Sequence, residues 1–120
     1  MNGIKERNFY IPDELMDRLN LHNHWVETSG REGNRLIVNN EIFTDLEIDS
    51  FDLSGAIFEK CILNCVNFGD LKNAEFHDCY FHYGELIFSC CNGAKFRNCK
   101  FYDVCLGEAD LTGCIFENCI

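Results

Sequence analysis

From Ile48 to Ile120 a large apolar residue returns at every fifth position, with a small residue two places before it. The pattern is plain in Ala56-Ile57-Phe58-Glu59-Lys60, Ala74-Glu75-Phe76-His77-Asp78, Ala94-Lys95-Phe96-Arg97-Asn98 and Ala109-Asp110-Leu111-Thr112-Gly113. Such a period matches neither the turn of an α-helix nor the alternation of a simple strand. It marks a repeat array, in which each unit adds its share to a continuous core. One large and one small inward residue per repeat suit a narrow tube whose backbone turns a corner each time. The remaining positions face water.

The large central residues run Ile48, Leu53, Phe58, Leu63 and Phe68, then Phe76, Phe81, Leu86, Cys91, Phe96, Phe101, Leu106, Leu111 and Phe116. Between Phe68 and Phe76 the spacing breaks once, and two registers are open. If Gly69-Asp70-Leu71-Lys72-Asn73 is a repeat following a shortened one, Phe58, Phe76, Phe96 and Phe116 stack and Cys61, Cys79, Cys99 and Cys119 align. If the extra residues instead bulge from a corner, Leu63, Leu86 and Leu106 stack and Phe58 lies over Phe81 and Phe101. Bulges at surface corners are cheap, so column composition does not decide the question.

The pattern resembles the pentapeptide repeat family, whose A(D/N)LXX motif is matched most closely by Ala109-Asp110-Leu111-Thr112-Gly113 and by Phe51-Asp52-Leu53-Ser54-Gly55. The resemblance spans about residues 46–120. It implies an all-β solenoid: a right-handed quadrilateral parallel β-helix of about four coils, one repeat per side. With strands roughly 4.8 Å apart, that makes a rod about 19 Å long. His22, Trp25, Gly30 and Gly33 also resemble the helical lead-in that precedes the repeats in many members.

Ahead of the array, residues 12–28 read as a helix. Pro12 suits a first helical position, Asp13 and Glu14 favour the positive end of the dipole, and Leu15, Leu19, His22 and Val26 share one face that Trp25 widens. Thr28-Ser29-Gly30 with Gly33 stops it. A face this narrow makes no core alone, so the helix is expected to close the open end of the stack. Residues 1–35 are thus a helical cap and loop, and 36–120 the β-helix. Its first coil is degenerate, because Glu41 stands in a slot that is small or apolar in nearly every later repeat.

Of the nine cysteines, Cys61, Cys79, Cys99, Cys114 and Cys119 occupy the small inward slot and Cys91 a central one, where a thiol acts as a compact hydrophobe. Cys65, Cys90 and Cys105 point outward. No Cys-x-x-Cys pair, of the kind structural zinc sites usually show, is present. The opening residues lack a signal-peptide apolar core and no stretch is long enough to span a membrane, so a cytoplasmic location with reduced thiols is expected. His22, His24, His77 and His82 fit no nucleophile motif, and no phosphate-binding loop is present. A filled tube offers no interior pocket for catalysis. The expectation is a protein without enzymatic activity, cofactor or metal.

The net charge is −10, and residues 44–120 carry thirteen Asp and Glu against five Lys and Arg. Such a surface repels nucleic acid and keeps an edge-rich solenoid from aggregating. The resemblance adds an alternative, because one branch of the family consists of acidic β-helices that imitate duplex DNA and act on DNA gyrase or topoisomerase. A rod this short covers only a few base pairs, and the large loops and C-terminal dimerising segment of that branch are missing.

Outward aromatic and apolar residues single out a candidate surface. Tyr80, His82, Tyr83, Ile87, Phe88 and Tyr102 are outward by register, with Tyr102 one coil beyond His82. Clustered exposed rings suit contact with another protein. The sequence therefore reads as a protein-interaction module, an adaptor or an immunity-type inhibitor. At the other end, Phe116, Cys119 and Ile120 are expected to lie on an open coil that a two-fold homodimer would cover.

Overall fold

The computed structural model describes residues 11–86 and 90–120. Among these residues one helix, α1 (Asp13–Glu27), precedes nine parallel strands. Strands β1 (Ile37–Asn39), β3 (Ile57–Glu59), β5 (Glu75–His77), β7 (Lys95–Arg97) and β9 (Ile115–Glu117) form one sheet. Strands β2 (Ile42–Asp52), β4 (Ile62–Asp70), β6 (Tyr80–His82) and β8 (Lys100–Tyr102) form the other. Each strand pairs with its counterpart one coil away, so the chain climbs as a parallel β-solenoid of about four turns.

Each coil has four sides. Two are the sheets. The third is linked by the parallel bridges Asn67–Glu85 and Glu85–Cys105, and the fourth is built of tight turns. On that fourth side Ala56, Ala74, Ala94 and Cys114 donate their N–H groups to the carbonyls of Leu53, Leu71, Cys91 and Leu111. Gly55, Gly93 and Gly113 supply the positive φ such turns need. At most other corners the residue two places past the central one takes the left-handed conformation, at φ of about 50–60°. Asn40, Asp45, Asn73, Asp78, Asn98, Asp103 and Asn118 suit it, because their short side chains tolerate that region.

The register across the break is settled by pairing. Val38 faces Phe58 and Phe96 faces Phe116, each twenty residues apart, but Phe58 faces Phe76 after eighteen. Leu63 faces Phe81, so the alternative stack of Leu63 on Leu86 does not form. The shortened step is Phe68-Gly69-Asp70-Leu71. Ile48 still faces Phe68, yet Asp52 faces Asp70, leaving Gly69 alone opposite Asp49, Ser50 and Phe51. Here the second coil cuts its corner and its backbone presses on the first. A Cβ on Gly69 would overlap the Asp49 carbonyl.

The core is aromatic down its length. Phe58, Phe76, Phe96 and Phe116 form a ladder of near-parallel rings with centroids 4.8, 5.1 and 4.9 Å apart. Phe81 and Phe101 stack at 4.7 Å, edge-on to that ladder. Strand spacing imposes these distances, and they fall in the range that favours offset stacking. The aligned thiols also follow the register. Cys61, Cys79, Cys99 and Cys119 donate to the carbonyls of Val38, Phe58, Phe76 and Phe96, one coil back.

Helix α1 lies across the first coil with Leu15, Leu19 and His22 buried. Pro12 sits just before the helix rather than in its first position, and its carbonyl accepts the Met16 N–H at 2.9 Å. The out-of-pattern Glu41 is met by Arg18 of the helix, at 3.1 Å. His22 closes the coil edge: its Nδ1 accepts the Leu36 N–H at 2.8 Å, and its Nε2–H donates to the Ser54 carbonyl at 3.0 Å. Two backbone groups that would otherwise be stranded at a sheet edge are thereby satisfied. Trp25 stacks on the imidazole and carries the Arg35 guanidinium on its ring.

Candidate protein-docking surface

The second sheet is filled on its inner side and bears rings on its outer one. In β6 the central Phe81 points into the core, so Tyr80 and His82 on either side of it must point out. Parallel pairing places Tyr102 of β8 directly over His82, and the corner after β6 brings Tyr83 beside both. The His82 ring lies 4.2 Å from Tyr83, 5.0 Å from Tyr102 and 5.6 Å from Tyr80, and Tyr83 meets Tyr102 edge-on at 5.5 Å. Tyr80, Tyr83 and Tyr102 remain 39%, 51% and 50% exposed. Four of the residues expected to form a contact surface are thus one cluster. Ile87 and Phe88 fall outside the described residues.

Two further members are not evident from the aromatic pattern. Ile42 and Ile62 stand in the column that continues to Tyr80, and both are exposed. They extend the ring cluster into an apolar strip along the rod axis. Their signal is an isoleucine just before the inward residue of a repeat, where water-facing positions should be polar.

Tyr83 itself sits in a strained place. Its corner column is Asp45, Cys65, Tyr83 and Asp103, all at positive φ, and Tyr83 has φ 59°. A large aromatic residue is uncommon there, whereas Asp and Asn adopt it readily. Its phenol is raised above the ordinary tyrosine range, first by neighbouring Tyr102, then by local desolvation and the Asp103 carboxylate. Beside it runs an open groove of about 530 Å³ lined by Asp45, Asn64, Tyr83, Glu85, Asp103 and Cys105 among others.

Among the other chemically suggestive side chains, Cys61, Cys79, Cys91 and Cys99 are buried in the core, whereas Cys105 is exposed. Burial pushes the Cys91 thiol up to about 12, and Cys79 is raised by its contacts with Cys61 and Cys99 as well as by burial. Among the described residues no group of three or more His, Cys, Asp and Glu side chains is arranged to hold a metal ion. No helix among them is long and apolar enough to cross a membrane. At the far end Phe116 is 44% exposed on top of its ladder, Cys119 is half-buried and Ile120 lies open.

The geometry defines a four-sided parallel β-helix with a helical cap. The model of the family described as pentapeptide repeats matches residues 85–118, in eight copies, so this stretch is an array of pentapeptide repeats, as the resemblance implied. Among solved structures, a pentapeptide repeat protein (Rfr23) from the cyanobacterium Cyanothece 51142 is similar, with 21% identity, 76% of this chain and 67% of that one covered, and a TM-score of 0.38. No curated protein matches the chain significantly.

Proposed function

We propose that the protein is a non-enzymatic docking module that holds another protein against the outer face of its second sheet. The observation that carries this reading is the Tyr80, His82, Tyr83 and Tyr102 cluster. Its rings lie against one another and are partly exposed, with Ile42 and Ile62 alongside, on a wall whose inner side packs against the core. Rigid aromatic groups of this kind lose little conformational freedom on binding and form the energetic centres of protein interfaces. Tyrosine in a backbone conformation that favours Asp or Asn adds support, since strain of this sort tends to be retained at functional positions.

A duplex mimic needs continuous acidic columns, and the columns here are mixed. Asp52, Asp70 and Asp110 share their side with Cys90, and Glu59 and Glu117 share theirs with His77 and Arg97. The test is affinity capture with the wild type beside a Tyr83→Asn/Tyr102→Thr variant whose folding is verified by circular dichroism. A partner held by the wild type and lost by the variant supports docking at the ring cluster. Equal capture of every partner by both proteins contradicts it, and release of all partners by modest salt would favour acidic mimicry instead.

A further inference from the structure

Resting on that docking reading, we infer that the corner groove beside Tyr83 takes a cationic side chain, arginine or lysine, presented by the docked protein. The groove is about 530 Å³ and open, and the exposed Tyr83 is one of its lining residues. Asp45, Glu85 and Asp103 line it, and none of its lining residues is Lys, Arg or His. The Thr44 hydroxyl and the Asn64 and Asn67 side chains offer further oxygen acceptors. An aromatic face next to carboxylates is the combination that favours a guanidinium or ammonium: the ring quadrupole attracts the cation and the carboxylates complete its charge. Arginine suits it best, because its planar fork stacks on a ring while donating in its own plane.

The charge is also polarised across the face. Lys100 stands in the column of Tyr80, on the far side of the ring cluster from the groove. A segment docked across the rings is therefore set with its basic residue at the Tyr83 corner and an acidic or neutral one near Lys100. Charge complementarity of this kind fixes orientation and encounter more than bulk affinity.

The test is an amide chemical-shift titration of the labelled full chain with N-acetyl-arginine amide, and separately with the neutral near-isostere N-acetyl-citrulline amide. The arginine compound is expected to give saturable shifts at Tyr83, Gly84, Glu85 and Asp103, with citrulline at least about five-fold weaker. An Asp45→Asn/Asp103→Asn variant should abolish them. Asparagine tolerates the left-handed backbone at both positions, so the fold survives the change. Equal response to citrulline overturns the inference, as does unsaturable drift at carboxylates all over the surface. Shifts at this face that follow protein concentration alone would assign it to a second copy and also overturn it. If capture depends on the rings while arginine leaves the groove unmoved, docking stands and only the cationic preference falls.

Discussion

Replacing His22 by leucine should remove both a fixed amount of stability and a particular pH dependence. The imidazole is fully buried, and both its nitrogens are engaged by backbone, Nδ1 by the Leu36 N–H and Nε2–H by the Ser54 carbonyl. This pattern requires the neutral ring with its proton on Nε2, since a proton on Nδ1 would oppose the Leu36 N–H. Leucine fills a similar volume but leaves one buried donor and one acceptor unpaired, at about 1–3 kcal/mol each, so the loss is about 2–6 kcal/mol at pH 8. Burial lowers the His22 pKa from its ordinary 6.5, opposed by the Ser54 hydrogen bond and by Asp52, with Arg35 lowering it further. Because the folded pKa lies below the unfolded one, the unfolded chain binds the proton more readily. The His22 contribution is therefore complete above about pH 6.5 and shrinks as pH falls, by up to about 1.4 kcal/mol per unit, until the folded pKa is reached. Urea unfolding of wild type and His22→Leu across pH 5–8 measures this. The stability gap should be widest above neutrality and narrow on acidification; a gap that stays constant over the range refutes the neutral clamp.

Phe76 lies fully buried between the Phe58 and Phe96 rings, so Phe76→Ala should cost about 3–5 kcal/mol in denaturant unfolding. Phe116→Ala, at the half-exposed end of the ladder, should cost less than half as much. Gly69→Ala drives a Cβ into the Asp49 carbonyl and should destabilise by about 1–3 kcal/mol or more, whereas Gly107→Ala, with open space around it, should be nearly neutral. Tyr83→Asn exchanges a strained corner residue for a compatible one and should leave stability unchanged or raise it by up to about 1 kcal/mol. A loss beyond that would make the ring cluster a structural device rather than a binding one.

The solenoid was legible because its period belongs to no single helix or strand, and because two inward residues in five set how narrow the tube must be. The break in spacing was legible, but the register that continues across it was not. Phenylalanine and leucine fill either column equally well, and the residue that decides, Gly69, is required by a backbone approach from a coil twenty residues earlier. Likewise the helix face displayed His22, but its two backbone partners lie fourteen and thirty-two residues away and belong to the coil edge. The ring cluster followed from register, since an outward slot can be counted. Ile42 and Ile62 escaped because neither is aromatic, and Ile42 lies in the degenerate first coil. The groove escaped for a different reason: Asp45, Glu85 and Asp103 come from three coils, and only the corner geometry joins them.

Docking through the ring face is tested most directly by site-specific photocrosslinking in cells. Benzoylphenylalanine is placed at Tyr80 and, in a separate control variant of the same chain, at Glu117 on the other sheet. The account predicts a discrete adduct with another protein from the Tyr80 position and none from Glu117. Adducts from Glu117 alone, or none from Tyr80, would contradict it.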